Sequence, residues 1–170
     1  MSSLLNNKVA ESGIITIDLA AFLNNHEIVL FDIKPYLFME LILKEKDFRA
    51  ALLSTDWSVY QNKIVGIHCS TDAIIPMWAN MLIVSALQPF AKAVYFGDES
   101  KVREQFILDS INAIVAQDYI DQRVVIKGCG ETPIGESAYI AITQKLRPVV
   151  KSIMYGEPCS TVPVYKKKAE

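Results

Sequence analysis

Past residue 60 the chain alternates between short apolar runs and longer segments whose apolar residues return every three or four positions. The short runs cover 63–68, 93–96, 123–127 and 151–155, and each ends in a turn. Between them lie an uncharged segment at 73–91, a segment at 99–117 and a segment at 134–148. In the second, Val102, Phe106, Ile107, Ile111, Ile114 and Val115 keep helical spacing; in the third, Ile134, Ala138, Ile142 and Leu146 share a side. Short buried runs alternating with helices predict a parallel sheet with both faces covered. Marks just past the four runs fall at 69, 98, 129 and 159, so the gaps are 29, 31 and 30 residues. That suits βαβ units of roughly 30 residues. No strong residue-level repeat stands behind the period, so it reads as topology and not as a solenoid.

The first 60 residues are less regular. Residues 13–17 and 28–33 read as strands, and 36–54 as a helix carrying Phe48, Leu52 and Leu53. Asp56-Trp57 and Gln61-Asn62 mark loops. Thr161-Val162-Pro163-Val164-Tyr165 reads as an edge strand, where proline is tolerated, and Lys166-Lys167-Lys168 as a solvated end. The expected architecture is a single-domain α/β three-layer sandwich over 1–170, mostly parallel, with helices on both faces. Within it, 1–60 is the less regular part, 61–159 holds the βαβ units, and 160–170 is edge strand and basic tail.

Composition narrows the class of protein. The 170 residues are 51% hydrophobic and 21% charged, enough to build a core and too apolar for disorder. A net charge of −2 leaves no electrostatic footprint for a nucleic-acid backbone, so no nucleic-acid partner is expected. No basic segment followed by an apolar run opens the sequence, so no secretory signal is expected. Three cysteines without such a signal argue for reduced thiols and a cytoplasmic location. The uncharged run 73–91 approaches the length of a membrane span, but Pro76, Asn80, Ser85, Gln88 and Pro89 interrupt it. The expectation is a helix buried in the protein or facing another subunit, with no membrane partner.

In open α/β sheets ligands bind beyond the carboxyl ends of the strands. Cys69, Cys129 and Cys159 each lie just past a predicted strand. If three strand ends of one sheet share an edge, three thiols converge there. Converged thiolates bind zinc or an iron–sulfur cluster. His68 is a candidate fourth ligand, although adjacent strand residues point to opposite faces; Asp72, Asp98 and Glu157 are others. No CxxC occurs, and cysteine is among the most buried residue types, so structural thiols are an equal alternative. His68 reads more simply as a satisfied buried histidine and His26 as loop surface. Trp57 and Trp78 read as core anchors, and Met77, Met81 and Met154 as core or interface packing.

Two near-motifs dissolve on inspection. Gly130 to Ser137 has the spacing of a phosphate-binding loop, but Glu136 stands where lysine would meet the phosphate. Thr132 followed by Pro133 reads instead as an N-cap with proline at the first helical position. Neither G-x-G-x-x-G nor G-x-S-x-G occurs.

Four segments together carry a resemblance: Phe31-Asp32-Ile33-Lys34, Leu43-Lys44-Glu45-Lys46-Asp47-Phe48-Arg49, Asp72-Ala73-Ile74-Ile75-Pro76, and Gly156-Glu157-Pro158-Cys159-Ser160-Thr161-Val162-Pro163. They resemble a bacterial family known only as a domain of unknown function, number 2480. The resemblance implies a small, single-domain cytosolic protein with cysteines matching Cys69, Cys129 and Cys159, and it supplies no reaction. Two readings follow. One is a thiolate site of Cys69, Cys129, Cys159 and His68 holding zinc or an iron–sulfur cluster. The other is a non-enzymatic homo-oligomeric scaffold or interaction protein, joined through helix 73–91, with structural cysteines. A metal-free cysteine nucleophile partnered by His68 or a carboxylate ranks below both. No small-molecule ligand is identified.

Overall fold

Each apolar run past residue 60 forms a strand, and the two early runs do as well. The computed structural model describes residues 13–128, 130, 133–157 and 159–168. In chain order these hold β1 (Ile14–Asp18), β2 (Ile28–Asp32), α1 (Glu45–Ser54), β3 (Ile64–His68), α2 (Met77–Leu87) and β4 (Ala93–Phe96). Then come α3 (Glu99–Ala113), β5 (Arg123–Lys127), α4 (Glu136–Leu146), β6 (Ser152–Glu157) and β7 (Ser160–Lys166). The fold is α/β. All neighbouring strands pair in parallel except β6 and β7, which form an antiparallel hairpin. As expected, β7 with Pro163 lies at a sheet edge.

The strands make two sheets, in the orders β2-β3-β4 and β1-β5-β6-β7. Correspondingly the chain divides into two units. Unit A is Asn25–Phe106; unit B takes the described residues up to Asn24 and from Ile107 on. Unit A packs Phe31, Val65 and Ile67 of its sheet against Phe48 and Leu52 of α1 and Ala79, Ile83 and Leu87 of α2. The other face meets the first half of α3. There a Cβ on Gly66 would fall 2.6 Å from a Val102 methyl and 2.7 Å from one of Leu30. Unit B packs Ile17, Val124, Ile126 and Ile153 against Ile107 and Ile111 of α3 and Ala138, Ile142 and Leu146 of α4.

The two units follow one plan. Moving 59 positions along the chain carries Ile64 to Arg123 and takes α1's last residue to α3's, β3 to β5 and α2 to α4. Strand register is kept as well: Ile64 opposes Ala93, and Arg123 opposes Ser152. So are the loop bonds, since Asn62 N–H donates to the Phe90 carbonyl and Asp121 N–H to the Val149 carbonyl, each at 2.9 Å. Left-handed backbone recurs at Asn62 (φ 60°) and Asp121 (φ 54°), and positive φ at Gly97 and Gly156. The first strands match across 14 positions: Ile14 to Asp18 against Ile28 to Asp32, both ending in an aspartate. Thus the period of about 30 residues is half of a true repeat of 59. Unit A is inserted into unit B between its first strand and its first helix.

Several local expectations change. The helix expected at 36–54 is only α1; before it lie a 3-10 turn at Lys34–Tyr36 and a tight bridge between Phe38 and Ile42. The segment 99–117 ends its α-helix at Ala113 and continues as a 3-10 turn, Ala116–Tyr119. The last helix starts at Glu136 with Gly135 as N-cap, not at Pro133; Thr132 lies outside the described residues. Within 73–91 only eleven residues are helical. Among the described residues no helix is long and apolar enough to cross a membrane. His26 lies in a loop, as expected, but is half-buried there, edge-on to Phe106 at 5.3 Å.

Candidate functional site

The strand ends place the sequence candidates as follows. Cys69 is half-buried after β3 in unit A. Cys159 is exposed in the turn after β6 in unit B. Cys129, two positions beyond β5, lies outside the described residues. The premise that three ends of one sheet gather the thiols is therefore corrected. Strand β3 belongs to one sheet, and β5 and β6 to the other. His68, the last residue of β3, sits opposite Asp32 at the end of β2. Among the described residues no group of three or more His, Cys, Asp or Glu side chains could hold a metal ion.

The carboxyl ends of the strands instead carry small charged clusters at matched positions. In unit A, Asp32 Oδ1 accepts from the amides of Lys34 and Ser70, each at 3.0 Å, and Oδ2 from the Ser70 hydroxyl at 2.5 Å. Partial burial pushes the Asp32 carboxyl up; the Ser70 hydroxyl, the two amides and nearby His68 outweigh it and hold it below the ordinary value. In unit B the matching aspartate is Asp18, which accepts from the Ala20 amide at 3.0 Å. Lys127 replaces His68 at the end of β5, with Nζ 3.4 Å from Asp18 and 3.7 Å from Glu157. Partial burial pulls the Lys127 ammonium down, and the two carboxylates more than compensate, leaving it above the ordinary lysine value. Sequence reasoning passed over Asp18, Asp32, Ser70 and Lys127. The signal that could have found the two aspartates is the repeated Ile-x-x-x-Asp ending of β1 and β2.

These clusters satisfy themselves; the larger unpartnered feature is apolar. Helix α2 contains no charged residue. It buries Ala79, Ile83 and Leu87 while Met77 is 77% and Met81 71% exposed. Ile74, just ahead of the helix, is 90% exposed. Spacings of four and three residues put Met77, Met81 and Val84 on one side of the helix. A hollow of about 640 Å³ joins this side to the Phe38–Ile42 bridge, sharing Leu41, Ile42, Ile74 and Pro76. A groove of about 390 Å³ between α1 and α2 is lined by Leu52, Leu53, Trp57, Leu82 and Ala86, together with Arg49 and Ser85. Trp57 is held in it by Nε1–H donating to the Leu52 carbonyl at 3.0 Å, and it stacks on Phe31. Trp57 and Trp78 pack against the core as expected, whereas Met77 and Met81 face solvent.

A family model described as a protein of unknown function (DUF2480) matches residues 3–167, and the chain belongs to that family. No curated protein and no solved structure matches significantly.

Proposed function

We propose that this member of a family without an assigned function is a non-enzymatic interaction protein that self-associates through the outward face of α2. The observation that carries the reading is the uncharged helix with Ile74, Met77 and Met81 turned to solvent. Monomeric soluble proteins rarely expose apolar patches beyond about 300–600 Å². Nine side chains in this region (Phe38, Met39, Leu41, Ile42, Leu53, Ile74, Met77, Met81 and Val84) are 40–90% exposed. Their exposure equals that of about six whole side chains, and at roughly 60–120 Å² each, the area implied by 1.5–3 kcal/mol at about 25 cal/mol per Å², they offer about 400–700 Å². That approaches the roughly 800 Å² that a standard interface takes from each partner. Helix α2 itself carries no charge, so its outward side meets its own copy without like-charge repulsion.

Light scattering after size exclusion tests this. A dimer is expected for the full chain, and Met77→Glu with Met81→Glu should give a folded monomer with stability changed by about 0.5 kcal/mol or less. A wild-type protein that stays monomeric at the highest soluble concentration would overturn the reading.

The thiolate reading keeps one supporting observation. Cys129 and Cys159 follow β5 and β6, which are adjacent and parallel. About one zinc per chain, or a brown iron–sulfur spectrum, lost in both Cys129→Ser and Cys159→Ser, would favour it. A colourless, metal-free protein with three titratable thiols would end it.

A further inference from the structure

The segment Phe38–Ile42 carries strain that its neighbours have to hold. The Leu41 amide donates to the Phe38 carbonyl at 3.2 Å, and the Phe38 amide to the Ile42 carbonyl at 2.7 Å. Between them Met39 (φ 52°) and Glu40 (φ 58°) are both left-handed. Met39, Glu40 and Leu41 link the paired Phe38 and Ile42, and consecutive left-handed positions normally take Asn, Asp or Gly, because other residues cost about 1–2 kcal/mol each there. Two contacts brace the turn: Lys34 Nζ lies 3.4 Å from the Glu40 carboxylate, and Lys44 Nζ 3.4 Å from the Phe38 ring centroid. Strain of this kind persists where the surroundings over-determine it, and it clusters at functional positions. What the turn accomplishes is presentation. Met39 is 75%, Leu41 62% and Ile42 60% exposed, at the edge of the apolar face of α2.

We infer that this hairpin anchors the self-association, inserting Met39 into the α1–α2 groove of a second copy. The inference rests on the self-association reading and names its contact. Methionine suits the role, since its flexible thioether fills irregular apolar gaps. The groove is large enough for one such side chain, and its apolar walls end in Leu53, itself 89% exposed. A tight braced turn holds the side chain in place before docking, so little entropy is lost on association. Both elements belong to unit A, so a two-fold pair would make the contact twice.

The test uses the full chain and charge exchange. Met39→Lys places a cation against a groove that already holds Arg49, and should weaken the dimer tenfold or more. Leu53→Glu, at the groove wall, should weaken it comparably. Combining the two in one chain, or mixing the two variants, should recover most of the affinity, because the new charges meet across the interface. A further variant, Met39→Gly, relieves the left-handed strain while removing the side chain. It should raise the thermal midpoint when both proteins are dilute enough to be monomeric and still weaken association at higher concentration, whereas a purely local role for Met39 predicts unchanged association. A wild-type dimer indifferent to Met39→Lys, or a double variant no tighter than either single one, would overturn the hairpin contact and leave self-association standing. A monomeric wild type would remove both.

Discussion

Helix α2 of unit A and helix α4 of unit B occupy equivalent places between parallel strands. Each buries three residues at matched positions: Ala79, Ile83 and Leu87 in one, Ala138, Ile142 and Leu146 in the other. Their outward sides diverge. Met77 corresponds to Glu136, Val84 to Thr143, Ala86 to Lys145 and Gln88 to Arg147. Met81 meets an apolar counterpart in Ile140, and Leu82 a smaller one in Ala141. A repeated core fixes the fold of each unit through the same buried atoms. A surface has no such requirement, so the apolar outside of α2 is not a by-product of the plan it shares with α4. That contrast is what makes the face of α2 the strongest candidate for function.

The largest way to break the comparison is to exchange residues that the plan equates but the packing does not. Gly66 in β3 corresponds to Val125 in β5. A Cβ at Gly66 would meet the Val102 and Leu30 methyls and, at 3.0 Å, the Gly97 carbonyl oxygen. Val125 is fully buried. Val125→Gly should cost about 2–4 kcal/mol through lost burial and a glycine within a strand. Gly66→Val should cost about 1–3 kcal/mol through overpacking. Urea unfolding measures both. If either exchange were neutral, the two sheets would be packed more alike than these contacts state.

How much of this was legible follows from where the repeat keeps its identities. Between residues 60 and 97 the matched identical pairs include Tyr60 and Tyr119, Val65 and Val124, Ile83 and Ile142, Leu87 and Leu146, Pro89 and Pro148, and Gly97 and Gly156. These are core and turn positions, scattered among substituted surface, so strand and helix periodicity survived while the residue-level repeat was hidden. The spacing of strand ends counted half-repeats, and a 30-residue period cannot reveal that β3 and β4 belong to one sheet and β5 and β6 to another. Pairing partners are fixed by contacts distant in sequence. That is why each cysteine could be placed after a strand and their convergence could not be inferred. The Phe38–Ile42 hairpin was missed for the opposite reason: Met39 and Glu40 are helix-forming residues held in a turn against their preference.

A smaller effect sharpens the comparison at the strand ends. Asp32 and Asp18 close matched strands, but Asp32 accepts from two amides and a hydroxyl, while Asp18 accepts from one amide and faces Lys127. Hydrogen bonds to a carboxylate are worth about 1.5–3 kcal/mol where water is excluded and less at partly exposed sites. Asp32→Asn should therefore cost about 1–2 kcal/mol at neutral pH, and Asp18→Asn about 1 kcal/mol or less. The pH dependence gives the sign. Because the folded Asp32 carboxyl titrates below its ordinary value, its contribution is present above the unfolded pKa of about 3.9 and is lost as pH falls through the folded value. The stability gap between wild type and Asp32→Asn should then be widest near neutrality and narrow under acid. Urea unfolding at neutral and at strongly acidic pH reads that gap directly. A gap that stayed constant with pH would mean that the Asn side chain is failing for its shape, and that the charge on Asp32 is not what ties β2 to the turn after β3.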